Sequence, residues 1–83
     1  QNISAKVFYR LEIKKFEKYE EAEAALANLQ RKKLNGFIIK ENGYLTCFGL
    51  FADETQAKAA AEYLGRKKVA ATVSPVEING MNI

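Results

Sequence analysis

The chain contains no histidine, no tryptophan, a single cysteine (Cys47) and a single proline (Pro75). Without histidine it cannot form a Ser-His-Asp or Cys-His nucleophilic site, nor a zinc site with imidazole ligands. One cysteine allows neither an internal disulfide nor a thiolate metal cage. No apolar run approaches the roughly 18 residues that a membrane span needs. We therefore expect no catalytic site, no metal, no cofactor and no membrane span in this chain.

The residues that are present describe one folded domain over positions 1–83, with its core in 7–77. Apolar residues make up 48% of the chain and charged residues 28%, which is too apolar for intrinsic disorder. Thirteen basic residues against ten acidic ones give a net charge of +3, a mild excess that suits an anionic surface. Because the sequence opens at Gln1 without an initiator methionine, we expect a segment excised from a longer protein.

An internal repeat is the strongest feature of the sequence. A shift of 35 positions superposes nine identical residues of segment 9–38 on their counterparts, among them Tyr9 on Tyr44, Phe16 on Phe51 and Leu29 on Leu64. The basic triplet at 31–33 falls on the triplet at 66–68, and both are expected to be solvated helix ends. Each half therefore predicts one supersecondary unit of about 35 residues.

Within each unit the apolar spacing changes from that of a strand to that of a helix. Apolar and polar residues alternate over 7–13, which predicts a strand. Apolar residues at positions 22, 25, 26 and 29 then form one stripe of a helix. The second unit repeats this order, with a strand over 44–51 and a helix that has Asp53 as its N-cap.

Glycine and proline predict the turns and the sheet edges. Gly36 and Gly65 are expected to end the two helices in left-handed turns. Short strands should follow over 37–39 and 69–76, the second at a sheet edge because it contains Pro75. Asn42-Gly43 predicts a hairpin turn. The predicted class is α+β with a ferredoxin-like (RNP-like) β-α-β-β-α-β order, in which two helices cover one face of a four-stranded antiparallel sheet.

The uncovered face of this sheet is where a function is expected. Strand alternation directs Phe8, Arg10 and Glu12 outward from the first strand, and Leu45 and Cys47 outward from the third. Phe37 and Ile39 should join them. Such a face is more apolar than a solvated sheet face normally is, and large apolar patches usually have a partner. A terminal segment (5–6 or 78–83) or a second copy of the chain is the alternative cover.

The segments from Tyr9 to Phe16 (YRLEIKKF) and from Tyr44 to Phe51 (YLTCFGLF) resemble the paired motifs of SPOR domains, the sporulation-related repeat. Each motif of that family runs from a tyrosine through alternating strand residues to a phenylalanine, and an alanine-rich helix follows. The resemblance covers residues 7–77. It implies binding of peptidoglycan, with a preference for glycan strands that lack stem peptides.

The resemblance also implies a ligand site on the open sheet, onto which it carries Arg10, Glu12, Lys14, Lys15, Leu45, Cys47 and Gly49. The outward residues Phe8, Phe37 and Ile39 complete the expected site as surfaces for sugar rings. Five positions depart from the family. Glu12 stands for glutamine, Lys14 for glycine and Lys15 for a small hydroxyl residue, while Leu45 and Cys47 replace residues that are more often polar. A modified or anionic wall polymer is therefore also compatible with the site.

We expect a non-catalytic, monomeric module that brings a larger protein to the bacterial wall. That protein would be a cell-wall hydrolase, such as an amidase or endolysin, or a division or sporulation protein. The module would act outside the cytoplasm, in the envelope or as part of a released phage lysin, without nucleic acid as a partner. An RNA-binding domain of the RRM type has the same strand order, but segment 42–46 matches its third-strand motif only at Gly43 and Tyr44. A ferredoxin-like module that dimerises through its open sheet is the second alternative.

Overall fold

The computed structural model describes residues 5–79, which form four strands and two helices: β1 (Ala5–Phe16), α1 (Tyr19–Arg31), β2 (Gly36–Lys40), β3 (Tyr44–Phe51), α2 (Glu54–Arg66) and β4 (Thr72–Asn79). The strands form one antiparallel sheet in the order β2-β3-β1-β4. Both helices contribute side chains to a single core on the same face of the sheet. The predicted ferredoxin-like α+β class is confirmed.

The core is built from aliphatic residues at repeat-related positions. Leu11 at the centre of β1 is fully buried, and Leu29 of α1 and Leu64 of α2 pack with it. Ala22 and Ala57 are completely buried at the start of their helices, where their small side chains let the helices approach the sheet. Of the helices within residues 5–79, neither is both long and apolar enough to cross a membrane.

The repeat appears in the structure as an approximate twofold relation between the two central strands. Tyr9 of β1 pairs with Phe51 of β3, and at the other end of the same ladder Phe16 pairs with Tyr44. A shift of 35 residues converts each pair into the other. The two supersecondary units therefore share one sheet, with their first strands side by side at its centre.

The start of α2 follows the sequence, but the ends of the two helices do not. Asp53 is the N-cap of α2, and its carboxylate accepts a backbone N–H of the first turn at 3.0 Å. The left-handed residues after the helices are Lys33 and Lys68, each with a φ of 66°. The expectation that Gly36 and Gly65 take this role is wrong, because Gly65 lies inside α2 and Gly36 opens β2.

Burial of an apolar side chain explains why lysine occupies these left-handed positions. The amide of Leu34 donates to the carbonyl of Leu29, and the amide of Val69 donates to the carbonyl of Leu64, both at 2.9 Å. This pattern is the Schellman motif, which requires a left-handed residue just before the apolar one. Leu34 and Val69 are both buried, and their burial offsets the strain on the preceding lysine.

The same motif explains the late start of the last strand. Residues 69–71 lead from the end of α2 into the core, so β4 begins at Thr72 and not at position 69 as the sequence predicts. Pro75 lies on β4, an edge strand, as expected. The hairpin between β2 and β3 is also confirmed, since Asn42 and Gly43 have φ values of 53° and 119°.

Candidate ligand-binding face

The face of the sheet that carries no helix, called the open face here, brings together most of the residues predicted to bind a ligand. Between β1 and β4, Phe8 lies opposite Val76. Between β2 and β3, Phe37 lies opposite Cys47 and Ile39 opposite Leu45. Between β1 and β3, Arg10 lies opposite Leu50, Glu12 opposite Cys47 and Lys15 opposite Leu45. Directly opposed residues of antiparallel strands share a face. Phe8, Phe37 and Ile39 are half-buried there, whereas Lys15 is exposed. The face thus offers apolar surface along both sides of a polar centre.

That polar centre is a chain of ion pairs. The guanidinium of Arg10 donates to Oε2 of Glu12 through Nε at 3.1 Å and Nη2 at 3.0 Å, and Nη2 also donates to Oε1 of Glu41 at 2.9 Å. The Arg10 side chain is only 13% exposed, whereas Glu41, in the hairpin turn, is 52% exposed. Burial alone would lower the pKa of Arg10, but the hydrogen bonds to Glu41 and Glu12 outweigh it and raise that pKa.

Leu45 and Cys47 share the open face but are not accessible on it. Cys47 is completely buried and Leu45 nearly so, which corrects the expectation that both lie uncovered. Cys47 has Glu12 on one side and Phe37 on the other. Burial raises the pKa of the Cys47 thiol to about 11; Arg10 lowers it, and the carboxylates of Glu12 and Glu41 add to the increase. The thiol is therefore a protonated, inert part of the sheet.

Lys14 lies on the other face, because a β-bulge interrupts the alternation along β1. The register with β3 shifts between Glu12 and Lys14, so Ile13 has no opposed residue and Lys14 pairs with Thr46. The buried Thr46 hydroxyl accepts the Lys14 amide at 3.2 Å and donates to the Lys14 carbonyl at 2.9 Å. Lys14 consequently lines a pocket beside α1 on the helix side. Its predicted place on the open face is wrong, and it is separated from Lys15.

Gly49 has a structural explanation in a second bulge. The ladder shifts again between Arg10 and Leu11, where Gly49 is the extra residue of β3, with a φ of 72°. A side chain at this position would collide with the ring of Phe51, because a Cβ atom would lie 2.6 Å from it. The backbone therefore demands glycine here whether or not a ligand binds. Positions 13 and 14 at the first bulge and positions 48 and 49 at the second are 35 residues apart, so the two bulges are related by the repeat.

Two residues of the open face were missed by sequence reasoning. Glu41 lies in a turn, where strand alternation assigns no direction, yet it completes the ion-pair chain. Leu50 follows the bulge at Gly49, and this extra residue moves it to the same face as Arg10. Leu50 is 52% exposed. A repeat-aware reading could have placed Leu50, because Lys15 is its counterpart 35 positions earlier.

The open face can bind uncharged polar groups next to flat apolar surface. Arginine has five N–H donors, of which Nε–H and both Nη2–H groups of Arg10 are used, leaving the Nη1 pair without an acceptor within residues 5–79. Across that same range, no group of three or more histidine, cysteine or acidic side chains is placed to hold a metal ion. The arrangement suits hydrogen bonding to hydroxyl or amide groups.

The two basic triplets are only partly the solvated helix ends expected from the sequence. Arg31, Lys33, Arg66 and Lys68 are exposed, but Lys32 and Lys67 are half-buried. Each of these two donates from its ammonium group to the backbone carbonyl of the other.

Comparison of the chain with protein-family models, curated proteins and solved structures gives no match.

Proposed function

We propose that the chain is a non-catalytic module that binds the glycan strands of peptidoglycan through its open face. The resemblance of its two motifs to SPOR domains suggests this ligand. In this proposal the module targets a wall hydrolase or a division protein to the bacterial wall, and it works outside the cytoplasm. Glycan strands that lack stem peptides are the preferred ligand, since peptide branches would obstruct contact with the face of the sheet.

The observation that carries the proposal is the fixed Arg10–Glu12–Glu41 chain beside apolar side chains. Sugars present hydroxyl and acetamido groups around a ring whose faces are weakly polar. Phe8 and Phe37 offer flat surfaces, and the ion-paired side chains offer donors and acceptors whose positions are already set. Because these side chains constrain one another, little rotamer entropy remains to be lost on binding.

The charge of the open face favours a ligand of low charge density over a nucleic acid. Glu12 and Glu41 surround Arg10 at the centre of the face, so its single guanidinium is already neutralised. Binding of single-stranded nucleic acid depends on a positively charged groove and on exposed rings for base stacking. Here the middle of β3 contains the buried Leu45 and Cys47 in place of exposed rings. We therefore do not propose RNA as the ligand.

Cosedimentation with purified sacculi tests the proposal directly. We expect the 83-residue chain to pellet with sacculi and to remain bound at moderate salt, because the open face contributes little net charge and its contacts are not screened. It should release no soluble muropeptides. Retention of a folded chain in the supernatant at both low and moderate salt would refute wall binding.

A matched pair of exposed apolar residues locates the binding face. Leu50, on the open face, is 52% exposed, and Tyr63, on α2, is 41% exposed, so replacement of either by serine should leave the fold intact. Leu50→Ser should weaken binding by about threefold to tenfold, in line with the loss of one apolar contact. Tyr63→Ser should bind as the parent does. Equal affinities for both variants, or a loss confined to Tyr63→Ser, would place the ligand elsewhere.

Charge variants distinguish the contribution of the Arg10–Glu12–Glu41 chain to binding from that of the exposed Lys15. Arg10→Ala should remove most binding even at moderate salt, because it leaves Glu12 and any ligand acceptor without a donor. Lys15→Gln should weaken binding mainly at low salt, since its charge is exposed and screened. Thermal unfolding of Arg10→Ala must be measured alongside, and Glu41→Gln, in the exposed turn, serves as the milder variant. Full binding by both Arg10→Ala and Glu41→Gln would refute the role of the ion-pair chain.

A further inference from the structure

A pocket of about 500 Å³ lies on the helix side of the sheet, opposite the open face. It is bounded by α1, by the connection between α2 and β4, and by the bulged part of β1. Its apolar lining consists of Ile13, Ala25, Leu29, Val69 and Ala70. A volume of this size is within the range of small-molecule sites in proteins.

The polar lining of this pocket is almost entirely cationic. Lys14, Lys32 and Lys68 contribute to its wall, together with Asn28, and no acidic residue lines it. In the part of the chain that the structure describes, none of the three ammonium groups is ion-paired. Three like charges around a partly apolar pocket favour an anion. The pocket therefore selects ligands by charge as well as by apolar contact.

The repeat indicates which kind of side chain is missing from the pocket. Tyr63 is the counterpart of Asn28 35 positions later, and Lys67 is the counterpart of Lys32. In the second unit the ammonium group of Lys67 lies 5.2 Å from the centre of the Tyr63 ring, a cation–π contact. In the first unit the lysine is present but the ring is missing, since Asn28 is far smaller.

A second repeat pair points the same way. Phe48, which packs against the core, is the counterpart of Ile13. The second unit thus has aromatic rings at two positions where the first unit has an amide and an aliphatic side chain.

We propose that this pocket binds a small aromatic anion, a planar ring that carries a carboxylate or a phosphate group. The ring takes the position that Tyr63 has in the second unit, over the apolar lining and next to Lys32. The anionic group is held by Lys14 and Lys68. This site is independent of the open face, and its ligand, a small aromatic acid, is chemically distinct from a glycan strand.

The test is an NMR titration of the isotope-labelled 83-residue chain with four probes: 2-naphthoate, phenyl phosphate, inorganic phosphate and benzyl alcohol. We expect the two charged aromatic probes to shift the amides of Asn28, Lys68 and Ala70, with dissociation constants on the order of 1 mM or below. Inorganic phosphate should bind more weakly and the neutral ring hardly at all.

Matched variants determine whether the pocket is responsible. Asn28→Tyr restores the ring of the second unit at an exposed position and should reduce affinity by about tenfold or more, since it fills the site. Lys14→Gln should weaken binding by about threefold to fivefold, the effect of one exposed charge pair. Lys15→Gln makes the same charge change at the adjacent position on the opposite face, and it should leave affinity unchanged. Sacculus binding by Asn28→Tyr should equal that of the parent chain.

Three results would overturn the proposal. The first is the absence of any shift at the pocket with either charged aromatic probe. The second is undiminished affinity in a folded Asn28→Tyr variant. The third is an equal loss in Lys14→Gln and Lys15→Gln, which would show attraction to the overall positive charge of the chain and no defined site. None of these results bears on wall binding through the open face, so the two proposals fail separately.

Discussion

The ammonium group of Lys32 donates to the backbone carbonyl of Lys67 at 2.8 Å, and the ammonium group of Lys67 donates to the carbonyl of Lys32 at 2.9 Å. The two residues are the C-caps of α1 and α2 and occupy equivalent positions in the repeat. Helix C-termini have unsatisfied carbonyl groups and carry partial negative charge. Each unit therefore supplies the cation that the helix end of the other unit requires.

We predict that this reciprocal pair stabilises the junction of the two units. Lys32→Met and Lys67→Met should each lower the free energy of unfolding by about 1 kcal/mol, the usual contribution of a partly exposed hydrogen bond from a charged group. Because both bonds span the same gap, the double variant should lose less than the sum, with a coupling of about 0.5 kcal/mol or more. Urea unfolding provides the measurement. Arg66→Met, in the exposed last turn of α2, is the control and should change stability little; strict additivity would show that the two bonds act independently.

A second prediction concerns Thr46, the buried polar residue that fixes the bulge in β1. Its hydroxyl bonds both the amide and the carbonyl of Lys14. Thr46→Val keeps the shape but leaves both backbone groups without this partner, which should cost about 1–3 kcal/mol. Hydrogen exchange at the Lys14 amide should accelerate in Thr46→Val and stay protected in Thr46→Ser. Unchanged protection in the valine variant would show that the hydroxyl does not hold the bulge.

The topology was predictable from sequence because the repeat and the change of apolar period are local patterns. The strand Tyr44–Phe51 was predicted with its observed bounds, since the Asn42-Gly43 turn precedes it and the helix N-cap Asp53 follows it. Asp53 favours a helix start and Asn42-Gly43 favours a hairpin turn through local interactions that need no tertiary contact. Wherever the chain's conformation follows from its immediate neighbours, the sequence was sufficient.

The candidate site was harder to predict because its side chains respond to distant contacts. The direction of Lys14 depends on a bulge that is held by Thr46, a residue 32 positions away. The burial of Cys47 depends on its position between β1 and β2. Glu41 joins the ion-pair chain from a turn to which period analysis assigns no face. Counting alternate residues cannot detect any of these three relationships.

A third prediction follows from the raised pKa of Cys47. Its thiol has a pKa of about 11 in the folded chain, compared with 9.0 for an exposed cysteine. Because folding favours the protonated form, this contribution to stability is complete below pH 9 and is lost as the pH rises from 9 to 11. A change of about two pKa units corresponds to roughly 2–3 kcal/mol.

Cys47→Ala isolates this effect from the other ionisable groups of the chain. The difference in unfolding free energy between the parent chain and Cys47→Ala should shrink by roughly 2–3 kcal/mol between about pH 8.5 and pH 11. A thiol reagent at about pH 8 should modify Cys47 only after denaturation, since the thiolate is the reactive form. Rapid modification of the native chain, or a difference that is independent of pH, would contradict the burial of this thiol.

The fourth prediction contrasts two glycines that the sequence alone made equivalent. A Cβ atom at Gly36 would lie 2.8 Å from the carbonyl oxygen of Cys47 and 2.8 Å from Cδ1 of Leu29, whereas at Gly65 residues 5–79 place no atom within 4 Å apart from its chain neighbours and the backbone of α2. The backbone of β3 cannot move away from Gly36 without disturbing the sheet, so Gly36→Ala should destabilise by roughly 1–3 kcal/mol through overpacking. Gly65 lies inside α2 with helical geometry, so Gly65→Ala should stabilise by about 0.5–1 kcal/mol.

Thermal unfolding of the two variants, each one methyl group larger than the parent, should therefore shift in opposite directions. A loss of stability in Gly65→Ala would restore the helix-ending role that its sequence position suggested, and a neutral Gly36→Ala would show that α1 does not approach β2 as closely as described.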